Sequence, residues 1–181
     1  MSQETLKAAL GNTIEGLKSN PGASKVVFRA DTRLEENVRC SAIVRDFPPM
    51  VIDEPPELGG ANAGMNPVEL ILVALGTCQE IMYSAYASVM DIPVDSVNVD
   101  VKGYLDLQGL FGMAGVPAGY TDIRYETSIE STASPEQISL LAQTVESHCP
   151  VLDTLVRPIT VSGTVTHNGA QITVAQAATS A

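Results

Sequence analysis

The stretch from Asn66 to about Met90 constrains the fold more than any other part of this chain. Asn66 is a good N-cap, Pro67 suits the first helical position, and Glu69 stands three residues after the cap, the pattern of a capping box. The helix so opened carries Leu70, Ile71, Leu72, Val73, Ala74, Leu75, Ile81 and Met82, and Asp91-Ile92-Pro93 ends it. A helix apolar on almost every side belongs in a membrane or at the centre of a protein. Its longest unbroken apolar run, Leu70 to Leu75, falls far short of the ~20 residues a span needs. The expectation is a central, buried helix around which the remaining elements assemble.

Those elements mix helices and strands without regular alternation. Leu6, Leu10, Ile14 and Leu17 recur at helical spacing over residues 4–18, and Asn20-Pro21-Gly22 stops the pattern. Two strand-like runs, Lys25 to Arg33 and Val38 to Arg45, follow around Leu34-Glu35-Glu36-Asn37. Residues 53–64, rich in proline and then glycine, read as a shaped loop. Beyond the long helix come strands over Val94 to Leu107 and Tyr120 to Glu130, with a Gly-rich loop from Gln108 to Gly119 between them. Ser134-Pro135-Glu136-Gln137 opens a helix to about Ser147, and Cys149-Pro150 a shorter one ending near Arg157-Pro158. Strands over Ile159 to Thr166 and Gln171 to Val174 flank the turn His167-Asn168-Gly169. The order predicts an α+β fold: a helical extension over 1–22, one domain over 23–175, and a frayed tail over 176–181.

Composition narrows the function. The 181 residues carry 21 acidic and 10 basic side chains, a formal charge of −11, which argues against a nucleic-acid or anionic-membrane partner. With 45% hydrophobic and 17% charged residues the chain is too apolar to be a disordered acidic segment. The start shows no basic stretch and no apolar export core, and three cysteines are an odd number, so reduced thiols in the cytoplasm are expected. There is no Cys-x-x-Cys, and His148 and His167 are isolated, which speaks against a metal site. No glycine run has a dinucleotide or phosphate-loop spacing, so no cofactor is expected, and there is no Gly-x-Ser-x-Gly elbow. If the chain is an enzyme, thiol chemistry remains.

The three cysteines have different settings. Cys40 shares the apolar face of its strand with Val38, Ala42 and Val44 and reads as a small buried hydrophobe. Cys78 lies among Ala74, Leu75, Ile81 and Met82, where burial alone raises a thiol's pKa. Cys149 precedes Pro150 at a helix start, where free amides favour a thiolate.

Asp53-Glu54-Pro55-Pro56-Glu57-Leu58-Gly59-Gly60, then Asn66-Pro67-Val68-Glu69-Leu70 with Ala74-Leu75-Gly76-Thr77-Cys78, and finally Cys149-Pro150-Val151 resemble the OsmC/Ohr family of osmotically inducible and organic hydroperoxide resistance proteins. The likeness runs in order over about residues 25 to 175. It implies antiparallel sheets around long central helices in an interlocked homodimer, and a thiol peroxidase acting on organic or lipid hydroperoxides in oxidative stress defence. Cys78 then matches the peroxidatic cysteine, Cys149 the resolving one, and an external dithiol, such as a lipoylated protein, restores the pair. The resemblance also implies an arginine near the turn of the first hairpin, for which Arg33 is the best match and Arg39 and Arg29 the runners-up. Its acid directly follows the proline of the Asn-Pro pair, where this chain has Val68; Glu69 comes one later. Glu69 precedes Cys78 by nine residues, so on a straight helix it points about 180° away and ~13 Å along the axis. Either it serves a partner chain's site or it caps the helix, and capping is preferred. A second reading of the whole stays open: a dimeric small-molecule or reactive-sulfur binding protein of the same fold, with Cys78 merely core.

Overall fold

The computed structural model describes residues 2–113 and 115–173; the end of the last expected strand at Val174 and the tail lie outside the described residues. Helix α1 (Gln3–Ser19) starts where the Ser2 hydroxyl accepts the Thr5 N–H and ends before Pro21. It is tied down near its start, where the Gln3 side-chain amide donates to the Ile92 carbonyl (3.2 Å) and Lys7 pairs with Asp91.

Strands β1 (Asp31–Glu36), β2 (Arg39–Ile43) and β3 (Met50–Ile52) form an antiparallel sheet in that order. The hairpin differs from the sequence expectation. Leu34, Glu35 and Glu36 belong to the strand, because Asn37 takes φ of 48° and turns the chain tightly. Residues 25–30, expected as strand, have no ladder partner among the described residues, and β3 is too short a run between Pro49 and Asp53 to signal itself. The loop after β3 is held by the buried Asp53 carboxylate, which accepts N–H bonds from Glu54 (2.9 Å), Ala61 (3.0 Å) and Ala63 (3.1 Å). Those three bonds, that to Ala63 foremost, keep its pKa below the ordinary carboxylate value.

Helix α2 (Pro67–Val89) has the expected cap: Asn66 Oδ1 accepts the Glu69 N–H at 2.9 Å, and Glu69 Oε2 accepts the Asn66 N–H at 2.8 Å. Its 23 residues are long and apolar enough by composition to cross a membrane, which the six-residue run alone did not convey. In the fold, however, one face packs on β4 (Ser96–Leu105), α4 (Pro135–His148) and α5 (Pro150–Val156). The expectation of burial on every side does not hold within one chain. Leu75, Gly76, Gln79, Tyr83 and Ala87 are buried, whereas Ile71 and Val73 are open and Ile81 is 67% exposed. The apolar periodicity reports what must leave water; it does not distinguish a covering element of the same chain from one of another.

Strand β4 pairs with β5 (Tyr120–Glu130) in a long antiparallel ladder, and the single helical turn α3 (Leu107–Leu110) lies in the loop between them. Side chains along both strands alternate between half-buried and exposed. Gly76 lets α2 approach this ribbon, since a Cβ there would stand 3.2 Å from Val101 Cγ2. Tyr83, Ala87, Ile92, Leu141 and Val145 make the core, flanked by Met82, Val97 and Ile129. Strands β6 (Val165–His167) and β7 (Ala170–Ile172) form the last hairpin around Asn168 and Gly169, both at positive φ. The first of these is shorter than expected, since residues 159–164 lie outside any ladder among the described residues.

Candidate active site

The long helix and the junction of two shorter ones bring two of the three cysteines together. Cys78 sits on α2, half-buried. Cys149 ends α4, its N–H donating to Val145 (2.9 Å), and begins α5, its carbonyl accepting from the Asp153 N–H (2.9 Å). Pro150 enforces the break, because it has no N–H to continue α4 and suits the first position of α5. The Cys149 side chain is therefore fixed by backbone on both sides and is fully buried. Its thiol points at Cys78, with the two sulfurs 3.5 Å apart. Cys40 lies elsewhere, on β2 opposite Leu34 and Ile52.

Burial pushes the Cys78 thiol above its ordinary pKa, the Val151 N–H pulls it down, and the neighbouring Cys149 pushes it up again. The Val151 amide in the first turn of α5 thus acts on Cys78. Among the described residues, no arginine is among the groups acting on Cys78. Arg33 is exposed on β1, Arg29 is exposed before it, and Arg39 pairs with Glu36 at the hairpin's turn. Glu69 is engaged in the helix cap. Within one chain the fold brings Cys78 and Cys149 together and leaves Arg33 and Glu69 apart from them. Among the described residues no group of three or more His, Cys, Asp or Glu is placed to hold a metal ion.

An open pocket of about 260 Å³ is lined by Leu75, Tyr120, Ile123, Tyr125, Leu152 and Leu155. Leu75 lies one turn before Cys78 and Leu152 one turn after Cys149, so its apolar wall continues toward the thiols. Tyr120 braces this wall. Its ring lies over Gly103, where a Cβ would come within 2.3 Å of Tyr120 Cε1, and its hydroxyl donates to the Val68 carbonyl at 3.0 Å.

Two site features escaped the sequence reading. Gln79 is fully buried beside Cys78, and among the described residues neither its amide oxygen nor its amide nitrogen has a hydrogen-bond partner. An orphaned buried polar group costs about 1–3 kcal/mol. Tyr125 on β5 faces it, and the Tyr125 hydroxyl donates to Glu146 Oε1 at 3.2 Å. A glutamine within an otherwise apolar helix segment was the available signal; that a tyrosine 46 positions on faces it was not.

A family model described as OsmC-like protein matches residues 59–163. Three solved structures share the fold. An OsmC-like protein of Mycoplasma pneumoniae is 21% identical, with 72% of this chain and 88% of that one covered, at a TM-score of 0.61. An organic hydroperoxide resistance protein OsmC of Legionella pneumophila is 17% identical over 73% and 90% of the two chains, at 0.56. An organic hydroperoxide resistance protein of Elizabethkingia anophelis, with thiocyanate bound, is 15% identical over 74% and 91%, at 0.54. No curated protein matches the chain by sequence.

Proposed function

The chain belongs to the OsmC-like protein family, and from that premise we propose that it reduces organic hydroperoxides, with Cys78 as the peroxidatic and Cys149 as the resolving cysteine. The observation that carries this reading is the 3.5 Å separation of two sulfurs 71 positions apart in the chain. A disulfide has its sulfurs ~2.05 Å apart, so a movement of about 1.5 Å joins them. The names of the Legionella and Elizabethkingia proteins, both organic hydroperoxide resistance proteins, point the same way.

In the first step the Cys78 thiolate attacks the terminal oxygen of the hydroperoxide. The O–O bond breaks, the alkoxide leaves and takes up a proton as the alcohol, and Cys78 becomes a sulfenic acid. Cys149 then attacks the Cys78 sulfur, water departs, and a disulfide forms before further oxidation can occur. An external dithiol returns both thiols. The apolar wall from Leu75 to Leu152 suits an alkyl chain.

Cys78 needs help to ionise in its half-buried setting. Lowering a thiol pKa from ~8.5 to ~6.5 takes about 2.7 kcal/mol. The Val151 N–H supplies part of it. In a homodimer whose hairpins lie across the other copy's helices, Arg33 supplies the rest to the second copy's thiol. The open apolar residues Leu34 (63% exposed) and Ile81 (67%) support such an arrangement. Glu69 remains a cap. Three free thiols fit a reducing compartment such as the cytoplasm.

The test is turnover of cumene hydroperoxide with a dithiol donor. Cys78→Ser abolishes it, Cys40→Ser leaves it intact, and Cys149→Ser captures one equivalent but stalls without added small thiols. Equal turnover by Cys78→Ser and the parent protein overturns the assignment.

A further inference from the structure

The two-cysteine reading gives no role to three polar side chains near Cys149, of which Gln79 is buried, Tyr125 half-buried and Glu146 exposed. Three side chains from three elements meet there: Gln79 of α2, Tyr125 of β5 and Glu146 of α4. Glu146 stands in the last turn of α4, three residues before its C-cap Cys149. The Tyr125 hydroxyl donates to its Oε1 at 3.2 Å, fixing the carboxylate against the ribbon. Gln79 is sealed from water and faces the Tyr125 hydroxyl. Burial pushes the Tyr125 hydroxyl up, the Gln79 amide pulls it down, and the neighbouring Glu146 and Cys149 push it up further. The other titratable groups around the cluster are Cys78, Tyr83 and, stacked near Tyr86, His148.

We propose that Glu146 is the base for the second, disulfide-forming step, and that Tyr125 and Gln79 are positioning residues that hold its carboxylate toward Cys149. The inference rests on the two-cysteine reading, with the organic hydroperoxide as the oxidant that leaves Cys78 as a sulfenic acid. The Cys149 S–H proton passes to the Glu146 carboxylate as the sulfur's electron pair attacks Cys78 Sγ. The S–O bond of the sulfenic acid breaks, and the departing hydroxide takes the proton back from Glu146 as water. One S–S bond and one water form, with no net change of charge. Cys149 is shut away from bulk water, whereas Glu146 is exposed, so its carboxylate offers the thiol's proton a way out. The buried Gln79 amide then has a purpose: it is placed to hold the Tyr125 hydroxyl when that hydroxyl's own proton bond to Glu146 shifts.

The experiment follows the full-length protein after one equivalent of cumene hydroperoxide, with dimedone as a sulfenic-acid trap and intact-mass spectrometry as the readout. In the parent the intrachain disulfide outruns the trap. In Glu146→Gln, an exposed and near-isosteric change, disulfide formation slows about a hundredfold, the low end of what a general base contributes, and the dimedone adduct of Cys78 accumulates. Tyr125→Phe slows the same step about tenfold. Both deficits shrink as the pH is raised toward the thiol's own ionisation, which a merely structural defect would not do. Glu136→Gln on the first turn of α4 behaves as the parent. Disulfide formation at the parental rate in both Glu146→Gln and Tyr125→Phe overturns the proposal while leaving the two-cysteine reading standing. Absence of both adduct and disulfide in the parent overturns the two-cysteine reading itself, and this inference with it.

Discussion

Joining Cys78 to Cys149 closes a loop across 71 positions, and its effect on stability can be worked out. In the chain-entropy treatment, a loop of that length removes about 4.4 kcal/mol of freedom from the unfolded chain at 25 °C. The native state contributes little opposing strain if the sulfurs need move only about 1.5 Å from their 3.5 Å separation. For a domain of this size each kcal/mol shifts the melting temperature by about 2–4 °C, so oxidation raises it by about 9–18 °C. The assay is calorimetric melting of the same sample after one equivalent of cumene hydroperoxide and again after reduction, at one protein concentration, since self-association also moves the midpoint. A non-reducing gel and peptide mapping confirm that the bond is Cys78–Cys149 within one chain. Cys149→Ser shows no shift. An oxidised protein with that bond verified that melts at or below the reduced one refutes the reasoning, because the thiols would then be joined only by distorting the fold.

Other expectations follow from the same geometry. Asn66→Ala removes the side chain that accepts the Glu69 N–H and costs about 1 kcal/mol of stability by urea denaturation, whereas Asn66→Asp keeps the cap. Gly76→Val forces atoms into a gap where even a Cβ meets Val101 Cγ2 at 3.2 Å; about 1–3 kcal/mol is lost, read as a lower urea midpoint. Asp53 is held below its ordinary pKa of 3.8, so its contribution is present above that pH and is lost as pH falls through the folded value. Acid titration followed by circular dichroism therefore shows a steeper loss below about pH 4 in the parent than in Asp53→Asn.

The sequence by itself determined the elements whose signals are local. The Asn66 and Ser134 capping boxes, Cys-Pro at 149–150 and the alternation of Tyr120 to Glu130 each rest on residues within a turn or a strand of one another, and the structure places those elements almost where the pattern does. The hairpin at Asn37 shifted, because one left-handed residue moves a turn without changing the apolar pattern, and β3 is defined by its neighbour more than by its own three residues. Tertiary structure alone decided the rest. Which amide reaches the Cys78 sulfur, that Gln79 faces Tyr125, and that Ile81 stays in water within a single chain all depend on elements far apart in sequence. Periodicity fixes which side of a helix is apolar but carries no information on what packs against it; that partner is set by the geometry of the whole assembly, where backbone distances of a few ångströms decide which groups interact.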